Sequence, residues 1–336
     1  MTHTCNVLVI KKLAGANRMS AIPVIFVTLI GCGSGRMLSP SGVRLAPPVV
    51  SGVERAVIEG KIRKHLALTS DAVLGRAELA RVTELNLQNE AITDAGVAWL
   101  ADPATGLTGL ITLYLCGTRV TDAGVKELAS ASSGLDALTT LDLRSTQVTD
   151  DGVKSLVHAE SRLKGLTTLD LSFTLLTDVG VNHLANQGSS LKHLTTLGLA
   201  STKVADAAMN GLAHTDTSLK GLKTLNLAYT LVTDAGLKDL ARTDSGMSGL
   251  PALYLYGTAV TDAGIGNLAR ADTGLTGLTT LDLGGTAVTD DGARALARAD
   301  SGLKRLTWLG FASSQVTEAG VRAAKARWPG IQITLH

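Results

Sequence analysis

Aromatic residues make up only 3% of this 336-residue chain, which rules out a globular core built around large rings and suits thin layers of branched side chains. Cysteine is equally sparse. Cys5, Cys32 and Cys116 are too few and too scattered for a disulfide framework or a zinc site. Charge of one sign is missing as well: the formal net charge is +2, and from Cys32 onward 28 basic residues face 29 acidic ones. A nucleic-acid partner requires a basic stripe, so none is expected. There is no P-loop, HExxH, CxxC or Gly-x-Ser-x-Gly elbow. The histidines do not recur in register, since His158, His183, His193 and His214 fall at different phases of the pattern described below. These absences leave no catalytic residue, metal ligand, cofactor or small-molecule substrate to expect, and the chain reads as non-enzymatic.

What the chain does have is a repeat. The pair Leu85-x-Leu87 returns at Leu113/Leu115, Leu141/Leu143, Leu169/Leu171, Leu197/Leu199, Leu225/Leu227, Leu253/Leu255, Leu281/Leu283 and, slightly changed, Leu309/Phe311. The interval is 28 residues every time, without insertion or deletion. A fixed period of this length means a stacked solenoid, in which each unit buries its apolar side only against its neighbours. Growth along one axis frees the chain from the size limit of a single core. Such a fold offers a long regular surface and no deep pocket, which is the geometry of a binding scaffold.

Residues 166–185 show how one unit is built. Leu169 and Leu171 alternate with Thr168, Asp170 and Ser172, as in a short strand with one buried face. Val181, Leu184 and Ala185 follow at helical spacing. Thr177 is placed to cap that helix, and Asp178 to sit at the positive end of its dipole. A glycine recurs two residues later, at Gly124, Gly152, Gly180, Gly236, Gly264, Gly292 and Gly320, where the helix is expected to lie close to the sheet. Ala208 alone replaces it.

The resulting pattern, LxxLxLxxTxVTDxGVxxLA, resembles a bacterial leucine-rich repeat, close to the cysteine-containing and ribonuclease-inhibitor-like subtypes. The resemblance covers residues 81–327 in nine copies. It implies an α/β leucine-rich-repeat solenoid, a horseshoe with a parallel concave sheet, convex helices and nine turns of 28 residues. Where that family places a buried asparagine or cysteine ladder, this chain has Thr118, Thr146, Thr174, Thr202, Thr230, Thr258 and Thr286, with Ser314 last and Glu90 first. A threonine hydroxyl can satisfy the same backbone groups, whereas Glu90 implies a differently packed first turn. Residues 51–80 read as a helical N-terminal cap. There Ser51-Gly52-Val53-Glu54 forms a capping box, and Val57, Ile58, Ile62 and Leu66 form the apolar stripe. Residues 328–336, with alternating Ile331, Ile333 and Leu335, read as a C-terminal cap strand.

Residues 1–31 contain no acidic side chain, and Lys11, Lys12 and Arg18 precede an apolar run at 21–30. That run is shorter than the about 20 residues that span a bilayer, but it fits the core of an export signal. Leu29-Ile30-Gly31-Cys32 resembles the bacterial lipobox. The resemblance implies a lipoprotein signal peptide over 1–31, lipidation at Cys32, a flexible tether over 32–50, and a membrane-anchored place in the cell envelope. Translation from Met19 would leave the leader without a basic side chain. If residues 1–31 are not a signal, the chain stays cytoplasmic.

A protein partner is expected on the outward strand positions. Most are small, yet Tyr114, Tyr254, Tyr256 and Trp308 are among them. Tyr254 and Tyr256 share a strand, and Ala228 and Gly284 on either side are too small to cover Tyr256. Exposed aromatics on a rigid sheet are typical interface anchors. Asp142, Arg144 and Asp170 form a second, polar region, and Lys164, Lys192 and Lys220 a column that reads as a solvated edge. These repeats also resemble those of F-box leucine-rich-repeat proteins, which select substrates for ubiquitin ligases. An intracellular adaptor is therefore the alternative, but one lacking an F-box, because residues 33–80 do not carry that helical pattern.

Overall fold

The computed structural model describes residues 49–335. The expected export signal, Cys32 and most of the tether lie outside the described residues.

Ten three-residue strands, from Glu84–Asn86 to Gln332–Thr334, form one parallel sheet in sequence order. Successive strands pair with no slip, so Leu85 lies opposite Leu113, Leu113 opposite Leu141, and so on to Leu309 opposite Ile333. Nine helices, from Asp94–Ala101 to Glu318–Arg327, return the chain on the other side. The molecule is an α/β leucine-rich-repeat solenoid with a parallel concave sheet, convex helices and nine 28-residue turns. Among the described residues, no helix is long and apolar enough to cross a membrane.

The strands stop where the chain turns left-handed. Asn89, Gly117, Ser145, Phe173, Ser201, Tyr229, Gly257, Gly285 and Ser313 occupy one position of the turn, with φ between 53° and 69°. The leucine layers inside the turns are fully buried, each side chain contributing about 1.5–3 kcal/mol. The threonine ladder closes the turn: Thr118 Oγ1 donates to the Leu115 carbonyl at 2.6 Å, and Ser314 Oγ to that of Phe311 at 2.7 Å. A second buried ladder, Ser133, Ser161, Ser189, Thr217, Ser245, Thr273 and Ser301, was not apparent in the sequence. Its hydroxyls accept from backbone N–H groups two residues on, as at Ser161 and Leu163. Glu90, the odd member of the first ladder, pairs instead with Lys61 at 2.6 Å.

The joints between repeats correct two expectations. Asp150 lies in the first turn of its own helix, but its carboxylate caps the next one. Its Oδ1 accepts from the N–H groups of Thr177 (2.9 Å) and Gly180 (3.0 Å), and its Oδ2 accepts from Thr177 Oγ1 at 2.6 Å. Asp94, Asp262 and Asp290 repeat this three-bond arrangement one unit further along. The recurrent glycine answers to that carboxylate rather than to the sheet. A Cβ at Gly180 would lie 2.5 Å from Asp150 Oδ1, and one at Gly152 just as close to Asp122 Oδ1. One joint is weaker. Ala205 replaces the capping threonine and Ala208 the glycine, and Asp178 keeps a single bond, from Ala205 N–H at 2.6 Å.

The expected N-terminal capping box is only half formed. Ser51 Oγ accepts from Glu54 N–H at 3.1 Å and caps the helix Gly52–His65, which buries Ile58 and Ile62 completely. The Glu54 carboxylate does not fold back on Ser51. It reaches the first repeat and accepts from the N–H groups of Thr93 (2.7 Å) and Gly96 (3.0 Å).

Candidate functional site

Strand register places the outward side chains in straight columns. One begins with Glu84, Thr112 and Thr140 and runs through Trp308 to Gln332; the next holds Asn86, Tyr114, Asp142, Asp170, Gly198, Asn226, Tyr254, Asp282, Gly310 and Thr334. The four expected aromatics therefore share the concave face, but not one cluster. Tyr114 belongs to the second strand and Tyr254 to the seventh, Tyr256 follows two residues later in the turn, and Trp308 belongs to the ninth. All four are half-buried. The Trp308 ring lies across Gly310, where an added Cβ would come within 2.7 Å of it.

Tyr256 is not the bare ring that its small neighbours suggested. It lies across Gly284, where a Cβ would approach its ring to 2.6 Å. On its other side it meets Tyr229 with ring centroids 5.2 Å apart and planes tilted by 56°. Desolvation, and then the neighbouring Tyr256 phenol, raise the Tyr229 pKa above the ordinary tyrosine value. Tyr256 and Tyr229 thus form an aromatic pair running from the concave face onto its rim, with Tyr254 two residues before Tyr256 on the same face.

The polar region differs from its expected form. Asp142 is 96% buried rather than exposed, because Arg144 folds over it. Arg144 Nε and Nη2 donate to Asp142 at 3.0 and 2.7 Å, and the guanidinium lies 3.5 Å from Asp170 Oδ2. Asp170 also accepts from Ser172 Oγ at 2.6 Å. The hydrogen bond to Asp142 holds the Arg144 pKa above its ordinary value. Burial, then the Asp142 charge, push the nearby Cys116 thiol up, so it holds its proton and is a poor nucleophile. This region is internally satisfied and offers a partner little beyond a shaped, neutralised surface. Among the described residues, no group of histidine, cysteine, aspartate or glutamate is placed to hold a metal ion.

The sequence reading missed two aromatics. Phe173 and Tyr229 occupy the left-handed turn position with φ of 59° and 56°, and are 58% and 57% exposed. Every other residue at that position is Asn, Ser or Gly, the types that tolerate positive φ. Two bulky rings in that column were the available signal.

A family model described as Leucine Rich repeat matches residues 138–157 and 275–297. Among solved structures, the chain is similar to two internalins of Listeria monocytogenes. For InlF the identity is 19% over 83% of this chain and 94% of the other, with a TM-score of 0.43. For internalin C2 it is 19% over 83% and 92%, with a TM-score of 0.47. No curated protein sequence matches the chain.

Proposed function

We propose that this leucine-rich-repeat solenoid is a non-enzymatic scaffold that binds a protein partner on its concave face. The observation that carries the reading is the aromatic surface of Tyr254, Tyr256 and Tyr229 on an otherwise small-residue sheet. Large, rigid side chains held in fixed rotamers give contact area at low entropic cost. The sheet is preformed, so binding proceeds by rigid contact, with about 800 Å² on this side for a stable complex. Asp142, Arg144, Asp170, Tyr114 and Trp308 complete the concave surface. We further propose that Cys32 carries a lipid anchor that holds the solenoid at the cell envelope. The support is the lipobox-like sequence before Cys32.

A photo-crosslinking residue placed at Tyr254 should yield a discrete protein adduct in intact cells. The same residue placed at Asn267 on a convex helix should not. Equal labelling at both sites, or none at Tyr254, overturns the concave-face reading. Mass analysis of the native chain beside a Cys32→Ser variant tests the anchor: an intact Met1 on a soluble chain refutes it.

A further inference from the structure

The rim beside the concave face carries a second feature, which shares Tyr229 with the aromatic surface used above. Phe173 and Leu175 project from one turn, and Tyr229 and Leu231 from the turn two units on, all four more than half exposed. Between them lie Ser201 and Lys203. Lys203 is exposed and forms no ion pair with any described residue. The two rim columns, Asn89 to Ser313 and Ala91 to Gln315 at the 28-residue interval, hold no acidic residue in nine repeats, while Arg119 and Lys203 are cationic. Of the carboxylates near these turns, Asp170 faces Arg144 at 3.5 Å, and Asp178, Asp206 and Asp234 accept from the capping N–H groups of the following helices. The rim is therefore apolar around a lysine that no described carboxylate pairs with.

We infer that this rim docks an amphipathic helix of a protein partner whose apolar side chains, one i to i+7 step apart, flank a carboxylate. Neighbouring parallel strands are spaced about 4.8 Å, so Phe173/Leu175 and Tyr229/Leu231 stand roughly 9.6 Å apart with Lys203 midway. A helix rises 1.5 Å per residue and repeats its face at i+7 after about 10.5 Å, with i+3 and i+4 between. An extended strand offers same-face residues at about 6.8 or 13.6 Å, which match neither pair. The order apolar, cation, apolar on the rim thus reads as apolar, acid, apolar on one helical face. Two aromatics kept at a left-handed position, where glycine or asparagine fits without strain, fit a surface retained for contact rather than for folding.

The test is selection of a phage-displayed library of helical peptides of about 15 residues on the full chain. Enrichment of sequences with apolar residues at i and i+7 and Asp or Glu at i+3 or i+4 is expected. A synthetic peptide of that sequence should bind a Phe173→Gly/Tyr229→Gly chain about tenfold more weakly or worse. Lys203→Glu should likewise weaken it, and exchange of the peptide carboxylate for lysine should restore binding to that variant. Enrichment of basic peptides, of no common pattern, or of the same peptides on the doubly substituted chain overturns the inference. So does rim-dependent binding to phosphatidylglycerol vesicles without any peptide, which reassigns the rim to a membrane surface. Tyr254→Ala separates the two sites: peptide binding that survives it belongs to the rim, and peptide binding lost with it while the rim variants bind normally refutes the rim.

Discussion

The carboxylate of Glu54 caps a helix to which it does not belong, with Oε1 accepting the Thr93 N–H at 2.7 Å and that of Gly96 at 3.0 Å. In every later joint an aspartate of the preceding repeat accepts the first of these N–H groups, and Asp94, Asp150, Asp262 and Asp290 accept both; Glu54 supplies the same bonds from the N-terminal helix with a side chain one methylene longer. The N-terminal helix is thereby read by the first repeat as though it were another repeat. A solenoid needs such continuity at its end, because its stability is a sum of unit and interface contributions.

Removing that carboxylate leaves two helix-terminal N–H groups without their partner. Glu54→Ala should cost about 2 kcal/mol, combining a lost helix cap with buried unsatisfied donors. Glu54→Gln keeps an acceptor oxygen and should cost less. Trp99 lies beside this joint, with the Arg55 guanidinium 5.5 Å from its ring. Urea unfolding followed by tryptophan emission should therefore report the loss, and equal midpoints for the native chain and Glu54→Ala would refute it.

The same logic ranks the internal joints. Asp150 makes three bonds to the following repeat and Asp178 one. Asp150→Ala should therefore destabilise the chain more than Asp178→Ala, by about 1 kcal/mol. Conversely, Ala205→Thr restores the missing cap hydroxyl and should stabilise the chain by about 1 kcal/mol. Thermal unfolding of the three variants checks the order.

Asp290 gives the last joint a pH dependence. The N–H and hydroxyl of Thr317 favour the charged carboxylate, lowering its pKa below the ordinary 3.8. A lowered carboxylate contributes stability that is fully present above its unfolded value, about pH 4, and lost as pH falls through the folded one. Amide exchange at Thr317 and Gly320, taken relative to the intrinsic rate at each pH, should therefore hold steady from neutrality to about pH 4 and accelerate below it. In Asp290→Asn that added acceleration should vanish; its persistence would assign the effect elsewhere.

Much of this structure is legible in the sequence because its rules are local. Alternation at Leu169 and Leu171 fixes a strand, and Thr177 before Val181 and Leu184 fixes a helix start. What escapes is contact between units. Nothing near Asp150 in sequence says that its oxygens belong to Thr177 and Gly180, 27 and 30 residues on, so local rules assign the aspartate to its own helix and the glycine to the sheet. Asp142 was read as exposed because alternation assigns it outward, and alternation cannot see that Arg144 folds back over it. Phe173 and Tyr229 went unnoticed for a different reason. Their side chains sit at the end of a turn, where neither strand nor helix periodicity applies, and the 28-residue column of Asn, Ser and Gly is what marks the position.

That position supplies a prediction in which stability and binding move in opposite directions. A bulky L-residue at φ near +57° is strained by roughly 1–2 kcal/mol relative to the right-handed region, whereas glycine is not. Glycine also enlarges the entropy of the unfolded chain, which offsets part of the gain. Phe173 is exposed and makes no ring contact with another aromatic, so Phe173→Gly should leave stability unchanged or raise it by up to about 1 kcal/mol. Tyr229→Gly also removes the stacking on Tyr256, worth about 0.5–1.5 kcal/mol, and should come out near neutral or slightly destabilising. Calorimetry of the two variants distinguishes these effects. A loss of more than about 1 kcal/mol in Phe173→Gly would mean that the ring is held by packing within the fold. It would then be a structural residue, and the rim would lose one of its two aromatic anchors.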